Sequence, residues 1–192
     1  MKTFTIFGQD RNRFFAQDNN AIEAALKKLG LKSWLETCGP SAICNAAASV
    51  SDVYYHNLTH KYKPLQPEDM LFVYLNDPKN EKVFNAVRGN VTNYMYNRIP
   101  QFLPIAAKNL FNIDAYFTYG IGKIKTYLSN NKAVIVLHSN EHFLTVVGFD
   151  TNNFYINDSW IKNPLNKNGG FNEVYEQSDF INNIQTFIII VE

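Results

Sequence analysis

Cys38 is the residue of this sequence best placed to act as a nucleophile. It lies in the segment ETCGPSAIC, which predicts a turn leading directly into a helix with Pro40 in its first turn. The start of a helix carries partial positive charge and unpaired backbone N–H groups, and both favour a thiolate over a thiol. Gly39 leaves room for a substrate backbone, and the N–H of Cys38 is placed to donate to a developing oxyanion. The pattern therefore predicts a reactive cysteine.

The second cysteine, Cys44, stands among alanines in the middle of the same predicted helix. A free thiol in such a position is usually a small buried hydrophobe. Six residues along a helix correspond to a rise of about 9 Å, whereas a disulfide tolerates a Cα separation of up to about 6.8 Å. We therefore expect two unpaired thiols, as is typical of a reducing compartment.

A base for the thiolate, and a partner for that base, occur late in the chain. His142 begins a predicted strand just after a turn, and Asp158 follows one strand later in the segment FYINDSW. Neighbouring strands lie about 4.8 Å apart, so a short hairpin can bring the two side chains together. The carboxylate of Asp158 would then fix the imidazole tautomer, and Trp160 would cover the pair from water. The spacing predicts a site built from Cys38, His142 and Asp158.

The order of the predicted elements suits this arrangement. Caps and apolar spacing predict helices over residues 18–30, 40–55, 66–75, 83–94, 105–111 and 121–130, the last being the final helix of the chain. Apolar, β-branched runs predict strands at 133–138, 143–149, 154–157 and 186–191. Helices followed by a hairpin-connected, mostly antiparallel sheet predict an α+β fold, and we expect one domain over residues 1–192.

Composition excludes several classes of partner. The chain has 192 residues, a formal charge of +1 and only 18% charged residues, so it offers no basic surface for nucleic acid or an anionic membrane. Its 46% hydrophobic residues are enough for a sizeable core without metal or disulfides. We see neither an apolar run long enough to span a bilayer nor the apolar core of a signal peptide, and we expect a cytoplasmic protein.

One motif suggests a metal but fits poorly. Residues His138 to His142 match H-x-x-E-H, a zinc-peptidase signature that requires both histidines on one helical face. The flanking residues predict strands joined by a turn, so the spacing loses its meaning. His56 and His60 are also four residues apart, and Glu68 is a conceivable third ligand, but a solvated helix face is the simpler interpretation. We expect no metal and no cofactor.

Three segments together resemble a known family. CGPSA at a helix start, HFLTVVGFD on a strand and FYINDSW after it are similar, in that order, to papain-like cysteine peptidases. The match is closer to their bacterial branch, related to bacteriocin leader peptidases of the double-glycine type. In the wider papain group an Asn precedes the Ser-Trp pair, and here that position is Asp158. The resemblance implies a papain-like fold with Cys38 as nucleophile, His142 as base and Asp158 as the residue that orients it.

One position departs from the family pattern. The family usually carries a Gln about six residues before the nucleophile, whose amide completes the oxyanion hole, and that position is Lys32 here. Gln17, in RFFAQDNN, has a similar sequence context and is our candidate for this role. The alternative is that Gln17 is an exposed polar residue before a helix cap.

These features favour a cysteine hydrolase that cleaves a peptide or isopeptide bond of a peptide or protein substrate through a thioester. The same three residues could serve an acyl or amide transferase, or a cell-wall hydrolase brought to its substrate by a phage or secretion apparatus. A catalytically silent copy of the fold that binds a partner protein is the third alternative. The segment from about 50 to 120 and the loop 161–171 match no motif, and we expect them to carry specificity.

Overall fold

A buried helix, Cys38–Val50 (α1), lies at the centre of the fold and carries Cys38 as its first residue. Of its 13 residues, the 11 from Gly39 to Ser49 are buried. Most of them are Gly, Ala or Ser, and small side chains allow neighbouring elements to approach the helix closely. The helix packs against three other helices and against the middle of the sheet.

The computed structural model describes residues 4–5, 10–16, 37–60, 66–88, 100–139 and 141–192, giving only the backbone at 4–5 and 85–88. The further helices are Asp52–His60 (α2), Pro67–Asn76 (α3), Glu81–Arg88 (α4), Phe102–Phe111 (α5), Ile124–Ser129 (α6) and Gln177–Asn182 (α7). The predicted helix 18–30 lies outside the described residues, as do the last residues of the predicted helix 83–94. Within the described ranges, no helix is long and apolar enough to cross a bilayer.

The helix predicted over 40–55 is wrong in one respect, because the structure divides it at Ser51. That residue has an extended backbone, with φ −151° and ψ 128°, and it ends α1. Its hydroxyl accepts the N–H of Tyr54 at 3.3 Å, so the same serine caps the start of α2. The competing preference that the sequence interpretation missed is the strong tendency of Ser to cap a helix.

Within the described residues, seven strands form one sheet, and their pairings are all antiparallel. They are Phe4–Thr5 (β1), Ala115–Tyr119 (β2), Ala133–His138 (β3), Phe143–Phe149 (β4), Asn153–Asn157 (β5), Glu173–Glu176 (β6) and Ile184–Val191 (β7). Their order is β2-β7-β3-β4-β5-β6, and β1 pairs with the end of β4. The α+β class and the four predicted strands are confirmed, with shifts of one or two residues at the ends.

The two-residue strand β1 was not predicted. The short helix α7 was not predicted either, so the helix predicted at 121–130 is not the final one. Strands β2 and β6 were also missed. Both strands lie at an edge of the sheet. Strand β2 is half-buried on both faces and so lacks the two-residue period of a strand with one buried face. Strand β6 begins and ends with a glutamate, a residue type depleted in strands.

The hairpin of β3 and β4 positions His142 against the start of α1. The N–H of His138 donates to the carbonyl of His142 at 2.8 Å, which closes the hairpin directly before β4. Three residues into β4, the hydroxyl of Thr145 donates to the carbonyl of Ala42 at 3.0 Å. This bond fixes the strand that follows His142 against the first turns of the helix that follows Cys38.

Helix α3 brings two acidic side chains into the core beside α1. Glu68 is 1% exposed, and burial, opposed by hydrogen bonding with its own backbone and assisted by the charge of Asp69, raises its pKa to about 8. A carboxyl with a raised pKa binds a proton in the folded state that it releases in the unfolded chain. Glu68 therefore favours folding at low pH, and this contribution is lost as pH rises through about 8.

We predict that Glu68→Gln removes this dependence. Between about pH 4.5 and 8 the folded state holds the extra proton, so the free energy of unfolding should fall by up to about 1.4 kcal/mol per pH unit from this group. The stability of Glu68→Gln relative to the wild type should rise across that window. Urea unfolding at pH 5, 6.5 and 8 measures it, with the exposed Glu141→Gln as control. A constant difference between Glu68→Gln and wild type would contradict the prediction.

Candidate active site

The two thiols have the different environments that the sequence predicts. Cys38 is the first residue of α1, after the N-cap residue Thr37, and it is half-buried. Cys44 is fully buried, and burial together with the charges of Glu68 and Asp69 holds its pKa well above the usual range. Both cysteines are free, as predicted. Of the two cysteines, only Cys38 is both partly exposed and at a helix N-terminus.

His142 connects Cys38 to Asp158. Its Nε2 lies 2.6 Å from Oδ1 of Asp158, which leaves Nδ1 as the ring nitrogen available to the adjacent Cys38. Burial lowers the pKa of His142, but the hydrogen bonds to Asp158 and Cys38 outweigh it and raise that pKa to about 9. At neutral pH the ring therefore carries both protons, one directed at each partner.

The carboxylate of Asp158 is completely buried and accepts four hydrogen bonds. Its Oδ1 accepts from His142 and from the backbone N–H of Trp160 at 2.9 Å. Its Oδ2 accepts from the side-chain amides of Asn163 at 2.9 Å and Asn166 at 3.0 Å. Burial raises the pKa of Asp158, but the hydrogen bonds and the charge of His142 together lower it below its ordinary value. The group remains an anion beside the imidazolium.

A second loop holds the backbone of Asp158. The N–H of Asp158 donates to the carbonyl of Gly170 at 2.7 Å. The loop around Gly170 is fixed by the buried carboxylate of Glu173, which accepts the backbone N–H groups of Lys167, Asn168 and Gly170 at 2.8, 2.6 and 2.8 Å. Most of the loop 161–171, which the sequence interpretation assigned to specificity, thus supports Asp158.

The N-terminal segment joins this loop to α1. Arg11 donates to the carbonyl and the side-chain oxygen of Asn168, both at 2.7 Å, and lies over the ring of Phe171. Asn45, on α1, accepts the N–H of Phe15 at 2.8 Å and donates to its carbonyl at 2.9 Å. Gln17, the candidate oxyanion residue, follows two residues later and lies outside the described residues, as does Lys32.

Trp160 covers one side of the histidine. Its ring meets that of His142 edge-on, with centroids 6.0 Å apart, and its outer face is exposed. A small open cleft lies beside His142. It is lined by His138, His142, Leu144, Asn163, Leu165 and Tyr175. Gly39, the second residue of α1, is buried, and as a glycine it has no side chain to contribute to the cleft.

The histidines of the metal motif lie on a hairpin. His138 ends β3 and His142 immediately precedes β4, so H-x-x-E-H does not occupy a helix. His56 and His60 stack on each other on the exposed side of α2, with ring centroids 3.9 Å apart. Across the part of the chain that the structure describes, no group of three or more His, Cys, Asp or Glu residues could hold a metal ion.

The structure thus brings together four residues that the sequence predicts. One is at a helix start (Cys38), one precedes β4 (His142) and two follow β5 (Asp158 and Trp160). A family profile described as the Peptidase_C39 like family matches residues 13–182. The chain belongs to this family. It is a papain-like cysteine peptidase, as the resemblance of its three motifs implied.

Two solved structures of peptidases are among those to which the chain is similar. A double-glycine-motif protease from an AMS/PCAT transporter, in complex with its leader peptide, is 16% identical, with a TM-score of 0.46 over 80% of this chain and 83% of that one. The peptidase domain of Streptococcus ComA, a bifunctional ABC transporter involved in quorum sensing, is 13% identical, with a TM-score of 0.42 over 98% and 97%. No curated protein matches the chain.

Sequence analysis missed the residues that hold Asp158 in place, namely Asn163, Asn166, Gly170 and Glu173. The adjacent pair Gly169-Gly170 signals a turn, but nothing in the sequence says what that turn contacts. A Cβ atom on Gly170 would lie 2.1 Å from the carbonyl oxygen of Asp158, and its φ is +81°. Only glycine fits at this position.

We predict that Gly170→Ala lowers the free energy of unfolding by at least about 2 kcal/mol, because it combines backbone strain with a clash. It should also slow the alkylation of Cys38, because the backbone of Asp158 must move. Gly169→Ala is the matched control: its φ is +58°, but its Cβ would meet nothing closer than an Arg11 side-chain nitrogen at 3.6 Å. There we expect a loss of about 1 kcal/mol and normal alkylation. Equal behaviour of both variants would contradict the prediction.

Proposed function

We propose that residues 1–192 form one papain-like hydrolase domain that cleaves a peptide or isopeptide bond through Cys38, His142 and Asp158. The observation that carries the proposal is the placement of His142 between Cys38, with which it interacts electrostatically, and Asp158, whose Oδ1 lies 2.6 Å from its Nε2. This is the pattern of a nucleophile, a base and a residue that orients the base. Membership of a cysteine peptidase family supports the same assignment.

In the first half of the reaction the Cys38 thiolate attacks the scissile carbonyl carbon and forms a tetrahedral intermediate. The negative charge moves to the carbonyl oxygen, where the N–H of Cys38 at the start of α1 is placed to stabilise it. His142 then transfers its Nδ1 proton to the leaving amine as the carbon–nitrogen bond breaks. A thioester between Cys38 and the acyl fragment remains.

In the second half the neutral His142 acts as a base. It takes a proton from a water molecule as the water oxygen attacks the thioester carbonyl, and the carbon–sulfur bond breaks to regenerate the thiolate. Asp158 stays ionised throughout and stabilises the imidazolium that forms. Its depressed pKa and complete burial support that role.

We propose Gln17 as the side-chain donor of the oxyanion hole. Support comes from the residue two positions earlier, since both backbone groups of Phe15 are bonded to the side chain of Asn45 on the helix that begins at Cys38. The chain entering Gln17 is therefore fixed to the same helix as the nucleophile.

We predict that iodoacetamide alkylates Cys38 far faster than Cys44 at pH 6. Cys38 is partly exposed at a helix N-terminus beside His142, whereas Cys44 is buried and its pKa is raised. Mass spectrometry of tryptic peptides after timed alkylation measures both rates. Equal rates, or faster reaction of Cys44, would contradict a tuned nucleophile.

Cys38 should also be acylated by an activated ester. Mixing with p-nitrophenyl acetate should release a burst of one p-nitrophenolate per protein, followed by slower turnover, and Cys38→Ala should abolish both phases. If iodoacetamide alkylates Cys38 but the protein shows neither a burst nor labelling by a peptidyl vinyl sulfone, it is instead a catalytically silent binding module.

We predict that Asp158→Asn reduces kcat/KM with this ester about tenfold or less, or about 1.4 kcal/mol. The amide retains an acceptor for His142, as in the wider papain group. Asp158→Ala removes the acceptor and releases the ring, so the loss should reach ~100-fold or more. Alkylation of Cys38 near pH 6 should slow in the same order. If Asp158→Ala leaves alkylation unchanged while Asn157→Ala abolishes it, the neighbouring residue has the role instead.

A further inference from the structure

The turn formed by residues 160–166 surrounds the carboxylate of Asp158 with neutral donors. We propose that Asn163 and Asn166 are positioning residues of the peptidase, which hold Asp158 as an anion with Oδ1 aimed at His142. The proposal rests on the function proposed above. It gives a positioning role to two asparagines that belong to no recognisable sequence motif.

The orientation of both amides follows from their other contacts. Asn163 accepts the N–H of Leu165 at 3.1 Å through its oxygen, so its Nδ2 is the atom that faces Asp158. Asn166 directs its Nδ2 at two oxygens, Oδ2 of Asp158 and the carbonyl of Trp160 at 2.8 Å. Reversing that amide would place an oxygen against both. Its own Oδ1 is buried without a hydrogen-bond partner among the described residues, so the contacts of Nδ2 determine its orientation.

The backbone of the turn makes the two donors a unit. The N–H of Asn163 donates to the carbonyl of Trp160 at 3.0 Å, and the N–H of Asn166 donates to the carbonyl of Asn163 at 2.9 Å. Asn163 is only 8% exposed. Both asparagines therefore reach Oδ2 from a turn whose first residue, Trp160, also donates its N–H to Oδ1. A carboxylate held at both oxygens cannot rotate away from the imidazole.

The charges around Asp158 explain why neutral donors suit this position. His142 is its only ionisable donor among the described residues, and on β6 the buried carboxylate of Glu173 and the phenol of Tyr175 are its titratable neighbours. Burial, followed by the charges of Asp158 and Glu173, raises the pKa of Tyr175 to about 12. Cys38 and His138 adjoin His142. Amides stabilise the carboxylate without supplying a second positive charge, so its charge remains available to the imidazolium.

The test is the pH dependence of the acylation burst with p-nitrophenyl acetate between about pH 3 and 8, a range that includes the acid limb of the wild type. A buried carboxylate that loses one donor is harder to ionise. In Asn163→Ala and Asn166→Ala we therefore expect the acid limb of the profile to move up by about one pH unit. The burst rate should then fall more at pH 5 than at pH 7.5. Asn163→Asp conserves volume but opposes one carboxylate with another, so its limb should move further.

Two controls separate positioning from folding. Asn168→Ala removes an amide of the neighbouring loop that donates to Phe171 and accepts from Arg11 but does not bond Asp158. Any change in its burst rate should therefore be the same at all pH values, and its acid limb should stay in place. In an Asp158→Asn background, Asn163→Ala should not move the limb further, because the carboxylate on which it acts is gone. Thermal unfolding of each variant shows that the protein measured is folded.

The outcomes are distinct. The proposal is supported if the acid limb shifts in both Asn163→Ala and Asn166→Ala. The limb must also stay in place in Asn168→Ala, and Asn163→Ala must not shift it in the Asp158→Asn background. A uniform loss of rate at all pH values, or equal shifts in Asn168→Ala, overturns it and leaves Asn163 and Asn166 a structural role. If Asp158→Asn and Asp158→Ala themselves leave activity unchanged, Asp158 has no role in the reaction and the proposed function is wrong for that residue. Asn163 and Asn166 then have no positioning role either.

Discussion

The buried negative charge of Asp158 is the constraint on which the rest of this site depends. A carboxylate removed from water is costly unless hydrogen bonds and an opposite charge replace its hydration. Here Trp160, Asn163 and Asn166 supply neutral donors, while His142 supplies the positive charge. The hydrogen bonds that stabilise the buried anion also fix the orientation of the carboxylate. The need for folding stability and the need for a correctly oriented histidine are therefore met by the same bonds.

The scaffold meets a second requirement, which is to keep His142 close to Cys38 although the two are far apart in sequence. Cys38 begins a helix, and His142 precedes the strand that packs against it. The bond from Thr145 to Ala42 joins that helix to that strand. The N-terminal segment closes the arrangement from the other side, because Arg11 binds the loop behind Asp158 and Asn45 binds Phe15. Movement of either half of the site would break these connections.

Several elements were predictable because their signals are local. The Gly-Pro pair after Cys38 predicts a helix start, and the β-branched runs around His142 predict a hairpin, which is why an H-x-x-E-H spacing could be assigned to strands. The elements that were missed have weak or misleading local patterns. Strand β2 is half-buried on both faces, and β6 is bounded by glutamates. The break at Ser51 depends on whether a serine continues a helix or caps the next one, and the surrounding residues permit both.

By itself, the sequence determined the chemical types and the order of the site residues, namely a thiol at a helix start, an imidazole at a strand start and a carboxylate one strand later. It also determined the α+β class, because helical and strand periodicities occupy different parts of the chain. Only the tertiary structure decided what surrounds the carboxylate. Asn163, Asn166 and Gly170 act through contacts between a turn, a loop and a strand end, and such contacts depend on how the chain folds back on itself. No local spacing encodes them, because hydrogen bonds to a buried charge are set by three-dimensional proximity.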